Sequence, residues 1–261
     1  MKQRVLSGMI MTIIIIPFIL IGGNFFRIGI NLLSILAFRE LMDLKDNKNI
    51  PIINKIIGLI CLLLLVNCEQ ILGNSISMLS LHILAISMLS MFIPVAFNNS
   101  NYSSKEALKL FSFVLFLGII FNLMLSTYQY NLKYFLLLIV ISTSTDIFAL
   151  FGGKLFGKHH FSKISPNKTI EGCITGSLSA IIFSCIYYYF VIGKSINIPV
   201  IIIILLLSII GQIGDLFFSK IKRDNDIKDF SNLIPGHGGI LDRLDSLIFI
   251  IMMFSIVFKY I

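Results

Sequence analysis

Charge is scarce in this chain: only 13% of its 261 residues are Asp, Glu, Lys or Arg, while 57% are hydrophobic. With a mean hydropathy of +0.95, that balance excludes a soluble globular domain of this length. The four cysteines, Cys61, Cys68, Cys173 and Cys185, form no Cys-x-x-Cys or Cys/His spacing. That argues against a zinc site or a redox pair and leaves them as packing residues in or beside apolar runs. The phosphate-binding spacing Gly-x4-Gly-Lys-[Ser/Thr] is also missing, so a P-loop is excluded. There is no internal repeat, low-complexity tract or separate soluble domain. The first apolar run follows Met1-Lys-Gln-Arg4 without a clear small-residue cleavage pattern, so it is read as a retained helix rather than a signal peptide.

What is present is a series of apolar runs at 5–22, 25–43, 52–67, 74–97, 107–127, 132–152, 172–193, 197–219 and 243–260. Each is long enough to cross a hydrocarbon core of roughly 30 Å, given some tilt or local thinning. The expected fold is therefore all-α, a polytopic integral membrane protein with about nine transmembrane helices. Placing the N-terminus in the cytoplasm puts 17 of the 21 Lys and Arg residues in cytoplasmic segments, among them Lys2, Arg4, Lys105, Lys154, Lys163 and the run from Lys220 to Arg243. The formal charge of +8 is then a topology signal and a field for anionic lipid and nucleotide, with no nucleic acid implied. The location expected is the cell (inner) membrane. Asn-x-Ser sequences at Asn98 and Asn101 fall in a cytoplasmic loop on this reading and carry no glycan. Residues 1–130 read as a lipid-facing scaffold, and 131–261 as the helices whose two polar cytoplasmic loops, 153–171 and 220–242, meet in one site.

The later loop is dense in carboxylates, cations and glycines, and charges at a membrane boundary usually have a function. Asp242 and Asp245 are spaced i, i+3 at the start of the last helix, on one face and at the positive end of its dipole. Asp215 lies near the end of the preceding helix. A hairpin of the two helices can offer all three as hard oxygen ligands for a divalent ion such as Mg²⁺; ion pairing with Lys222, Arg223 and Arg243 is the plainer alternative. Gly236, Gly238 and Gly239 allow main-chain N–H groups to approach phosphate oxygens. In the earlier loop, Lys168 and Thr169 precede a helix and could hold a phosphate or ribose hydroxyl, with Glu171 as a cap in the first turn. His159 and His160 read as a solvated basic edge, His82 as a hydrogen-bonded packing residue, and Glu40 as a local ion-pair partner of Arg39.

The run Ser219-x-Ile-Lys222-Arg223-x4-Lys228-Asp229-x-Ser231-x2-Ile234-Pro235-x-His237-Gly238-Gly239-Ile240-x-Asp242-Arg243-Leu244-Asp245 resembles the signature of phosphatidate cytidylyltransferases, the CDP-diacylglycerol synthases. Ser165-Pro-Asn167-Lys168-Thr169-Ile-Glu171-Gly172 resembles that family's upstream motif, so the likeness covers roughly 146–245. Leu150 departs from it, standing where a tyrosine is expected after Asp146-x-x-Ala149. The resemblance implies that CTP and phosphatidate give CDP-diacylglycerol and pyrophosphate. It points to Asp215, Asp242 and Asp245 as metal ligands and to Lys222 and Arg223 on phosphates, with Lys222, Arg223, Asp242 and Asp245 forming the catalytic set. Lys168, Lys228, His237 and Arg243 are further candidates for phosphate contacts, Ser219 for a polar contact, and Gly238 and Gly239 for the phosphate-binding turn. A second, monovalent cation and a homodimer stay open. The lipid tails are expected to enter sideways between helices.

Two other classes remain at this stage. A transporter of an anionic substrate would use intramembrane charge, but near the midplane rather than at one face, and often with inverted repeats. Another lipid-head-group enzyme, such as a CDP-alcohol phosphotransferase or polyprenol kinase, is the other; the phosphotransferase's Asp-Gly…Ala-Arg pattern followed by Gly-x3-Asp-x3-Asp is not found in the chain.

Overall fold

The computed structural model describes Ile13 and residues 16–68, 76–97, 102–162, 165, 166, 168–233, 236 and 238–258, with backbone alone at 76–81. Lys2, Arg4, Asn98, Asn101, Lys163, Asn167, Ile234, Pro235, His237 and most of the first expected span lie outside the described residues. The helices are α1 Gly23–Met42, α2 Ile52–Val66, α3 Ile76–Phe97, α4 Ser104–Tyr130, α5 Leu132–Phe156, α6 Ile170–Tyr187, α7 Ile198–Asp224 and α8 Leu241–Val257. Among the described residues there is no strand; His160 and Thr169 form an isolated bridge. Among the described residues four helices are long and apolar enough to cross a membrane: α4, α5, α6 with the π-helical turn that extends it to Ile192, and α7. The protein is all-helical with membrane-length helices. The apolar runs from 25 onward each coincide with a helix to within a few residues.

Local chemistry explains the breaks. Asn131 alone separates α4 from α5, its side chain accepting the Lys133 N–H at 2.9 Å as an N-cap. Thr169 caps α6 in the same way, accepting from Gly172 N–H at 3.1 Å. Gly193, at φ 79°, ends the π-helical turn in the left-handed conformation that glycine adopts without strain. Pro199 sits in the first turn of α7, where its missing N–H is harmless.

The chain forms two compact units, Met1–Leu125 with Asp229–Leu241, and Ser126–Lys228 with Asp242–Ile261. In the first, α2 packs on α1 and α3, and Asn67 ties two of these helices together: it accepts from Arg27 Nε at 2.8 Å and donates to Asn31 Oδ1 at 2.8 Å. Such hydrogen bonds replace the hydrophobic drive that helices lack in lipid. His82 is exposed on α3, not packed, because it shares an outward face with Ile86, Leu89 and Ile93, all more than half exposed.

In the second unit α6 packs on α5 and α7. Small residues let the α5 and α6 backbones approach. A Cβ on Gly172 would stand 2.7 Å from the Ala149 carbonyl, and one on Gly176 2.7 Å from the Thr145 carbonyl. A buried polar seam runs across the same helices: Thr145 Oγ1 lies 2.9 Å from Ser208 Oγ, which donates to Ser177 Oγ at 3.1 Å, and Gln212 Nε2 donates to Ser177 Oγ at 2.9 Å. Beyond it, Tyr130, Tyr134, Phe254 and Phe258 cluster, and Lys194 donates to the Tyr134 hydroxyl at 2.9 Å. Exposed Ile147, Phe151, Ile174, Ile182 and Ile202 give the unit a lipid-compatible surface.

Gly176→Ala should lower the thermal unfolding temperature in detergent, by the equivalent of about 1–3 kcal/mol of overpacking, since a backbone carbonyl cannot step aside. Gly58→Ala, whose new methyl would meet only side-chain atoms of Leu110 and Phe38 at 3.0 and 3.2 Å, should lower it less; an equal or larger drop would refute the close-packed seam.

Candidate active site

The last turns of α7 present Asp215, Ser219 and Lys222 at i, i+4 and i+7, one stripe of the helix. Ser219 Oγ donates to Asp215 Oδ1 at 3.4 Å, and Lys168, arriving from the loop before α6, forms an ion pair with Asp215 Oδ2. Lys222 Nζ donates to Asp242 Oδ1 at 2.7 Å; the two side chains are only 11% and 5% exposed, so each neutralises the other away from water. From the first turns of α8, Asp245 Oδ1 accepts from the Ser246 N–H at 2.8 Å. Ser246 Oγ in turn donates to Asp146 Oδ1 of α5 at 3.3 Å. The carboxylates of Asp146, Asp215 and Asp245 lie within electrostatic reach of one another, with Lys168 beside Asp146 and Lys222 beside Asp245.

Three helices and one loop of the second unit thus gather four aspartates and two lysines. Of the residues singled out in the sequence, Lys168, Asp215, Ser219, Lys222, Asp242 and Asp245 all belong to this constellation. Arg223 is exposed and turns its guanidinium back onto the Ile227 carbonyl at 3.1 Å. Lys228 and Arg243 are exposed. Gly238 and Gly239 are buried and belong to the first unit; Gly238 has φ 82°, a conformation that suits glycine.

Asp146, named in the sequence only within the Asp146-x-x-Ala149 pattern, lies within α5 and inside the charge cluster. A carboxylate in an apolar run was the available signal. The N-cap of α6 is Thr169, and the Glu171 carboxylate in its first turn also reaches back out of the helix. Its Oε2 accepts from the Lys158 and His159 N–H groups at 3.1 and 3.3 Å, and its Oε1 lies 2.6 Å from His159 Nδ1, so it clasps the loop between α5 and α6. His159 and His160 are exposed, as expected of a solvated edge. Arg39 pairs with Asp43 at 3.7 Å, not with Glu40, because its exposed side chain meets the residue one turn on. Glu40 is 4% exposed and turned elsewhere.

The donor set suits a divalent ion by its chemistry, being hard carboxylate oxygens around a charge surplus of one sign. As the side chains stand, no three Asp, Glu, His or Cys residues among the described ones converge tightly enough to hold one. Each lysine is instead paired with one of these aspartates, Lys168 with Asp215 and Lys222 with Asp242.

A family model described as "Cytidylyltransferase family" matches residues 2–261. The chain is 33% identical over 260 residues to a phosphatidate cytidylyltransferase of Staphylococcus haemolyticus and 34% over 261 residues to one of Staphylococcus aureus strain COL, with 98% of each chain covered. Its likeness to the phosphatidate cytidylyltransferase of Bacillus subtilis is 32% over 257 residues, covering 96% of this chain and 94% of the other.

Lys222→Met, which leaves the Asp242 carboxylate buried without its partner, should destabilise the protein by about 3–5 kcal/mol. Adding Asp242→Asn in the same chain should recover part of that loss in detergent melts. Two losses that simply add would show that the ion pair contributes nothing.

Proposed function

The chain belongs to the cytidylyltransferase family, and from that premise we propose that it transfers the cytidylyl group of CTP to phosphatidate, giving CDP-diacylglycerol and pyrophosphate for phospholipid synthesis. The observation that carries this reading is the cluster of four aspartates and two lysines carried by three apolar helices and the loop before α6, with the relatives named for that reaction as its support. Phosphatidate brings its own nucleophile. A phosphate oxygen forms the new bond to the α-phosphorus of CTP, and the bond from that phosphorus to the β-phosphate oxygen breaks, its electron pair leaving with pyrophosphate. The protein therefore has to hold two anions in line and offset the charge that develops on the leaving group.

Lys222 and Arg223 would bind the reacting phosphates, aided by Lys168, and a phosphate that draws Lys168 and Lys222 away would release Asp215 and Asp242. Lys228 and Arg243 are further phosphate contacts on this reading, and Ser219 a polar one. Mg²⁺ is the cofactor proposed: Asp215, Asp242 and Asp245, with Asp146, would hold it, and once bound it would neutralise phosphate charge. The membrane arrangement that goes with the reaction has nine spans, the N-terminus and both polar loops in the cytoplasm, the N-terminal helices as scaffold, and the inner membrane as location; the split of basic residues supports it.

Purified protein given radiolabelled CTP, phosphatidate and Mg²⁺ should form labelled CDP-lipid and release pyrophosphate; substrate flux across sealed vesicles with no CDP-lipid would favour a transporter. Asp242→Asn keeps size and an oxygen for Lys222 but removes a charge, so turnover should fall on the order of 10²-fold or more. Asp215→Asn should behave alike, and the double variant should lose much less than the product of the two. Normal turnover with an unchanged Mg²⁺ requirement in Asp242→Asn would remove the metal assignment. For topology, a cysteine placed at Asn232 should react with an impermeant reagent only from the cytoplasmic side, and one added after Ile261 only from outside; both on one side would change the span count.

A further inference from the structure

Glu40 stands in the last turn of α1, the end of a helix where a carboxylate is least welcome, and it is almost wholly buried. Three donors account for it, all about 200 residues away in sequence. Oε1 accepts from the Ile240 N–H at 2.7 Å and from Ser231 Oγ at 2.7 Å, and Oε2 accepts from the Leu241 N–H at 2.9 Å. Leu241 opens α8, so two of the N–H groups at that terminus, which no preceding turn can satisfy, are taken by a side chain from another helix. Ile240 and Leu241 are buried, 5% and 0% exposed, so water cannot stand in for the carboxylate.

The same contact accounts for two residues of the loop. Ser231 supplies the third donor. Gly239 is a glycine for space, not for backbone freedom: its φ is not in the left-handed range, unlike those of Gly236 and Gly238. A Cβ there would collide with the Glu40 carboxylate, standing 2.6 Å from its carbon and 2.7 Å from Oε2. The two ends of the 231–240 loop are thus drawn to one buried anion.

We propose that Glu40 is a positioning residue for the transfer reaction: by holding the Ile240 and Leu241 N–H groups it fixes where α8 begins, and so sets the height and rotation at which Asp242 and Asp245, one and four residues on, are presented. This rests on the transferase reading. A helix is rigid over so short a span, so an anchor at its first residue is felt at the next turn. Glu40 itself touches no reacting atom.

The test uses the full chain in detergent, with turnover normalised to folded protein and backbone hydrogen exchange read at Ile240 and Leu241. Glu40→Ala should speed exchange at both amides and lower kcat by about tenfold or more while leaving KM for CTP and phosphatidate within about twofold, the pattern of a misplaced catalytic group. Glu40→Gln, which keeps one acceptor oxygen, should fall between it and the wild type. Gly239→Ala should be harmful alone yet add nothing in the Glu40→Ala background, because the collision it causes is then gone. Unchanged exchange, normal kcat per folded molecule in Glu40→Ala, or fully additive losses would each overturn the proposal. A wild type that makes no CDP-lipid would overturn the transferase reading instead, and exchange together with the Gly239 coupling would still decide whether the tether exists.

Discussion

A charge at the edge of a hydrocarbon layer is tolerated only when something answers it, and that constraint organises the whole chain. Lys222 and Asp242 neutralise each other, Lys168 answers Asp215, and Ser246 links the residues around Asp245 and Asp146. Glu40 is answered by two backbone N–H groups and a hydroxyl. Each group is expensive alone and affordable in company. The arrangement also prepares chemistry, because an anionic substrate can take a lysine from an aspartate by offering a stronger partner, and the aspartate is then free for another cation.

The apolar seams do complementary work. Glycines at 172, 176, 211 and 214 bring backbones together, and the Thr145, Ser177, Ser208 and Gln212 network gives those contacts one register. Gln212 precedes Asp215 by three residues and Thr145 adjoins Asp146, so the register of the dry seam sets the depth of the acids above it. In this unit packing and electrostatics act on the same residues one turn apart.

Much of this was legible in the sequence, for a physical reason. A long apolar run has few structures open to it in lipid, so the helices from 25 onward fall where the runs predict. Asp215, Asp242 and Asp245 stood out as carboxylates in greasy surroundings. What could not be read was pairing between distant positions. Asp146 meets Ser246 across 100 residues and Glu40 meets Ile240 across 200, and neither separation leaves a local trace. For Glu40 the sequence offers only its neighbour Arg39 as a partner, whereas its carboxylate goes to Ser231, Ile240 and Leu241. The outward face of His82 was hidden for a related reason: in a run that is apolar all round, periodicity does not say which side meets protein and which meets lipid.

The closeness of the helices in the second unit limits what can lie between them. Between α5 and α6 even a methyl group at Gly172 or Gly176 would strike a backbone carbonyl, and between α7 and α8 one at Gly214 would strike the Asp245 carbonyl at 2.8 Å. At those glycines the backbones leave no room for a further side chain between the helices. Within this unit the helices around the aspartates are therefore held at backbone contact, so the spacing of the charged groups is fixed by glycine rather than by adjustable side chains.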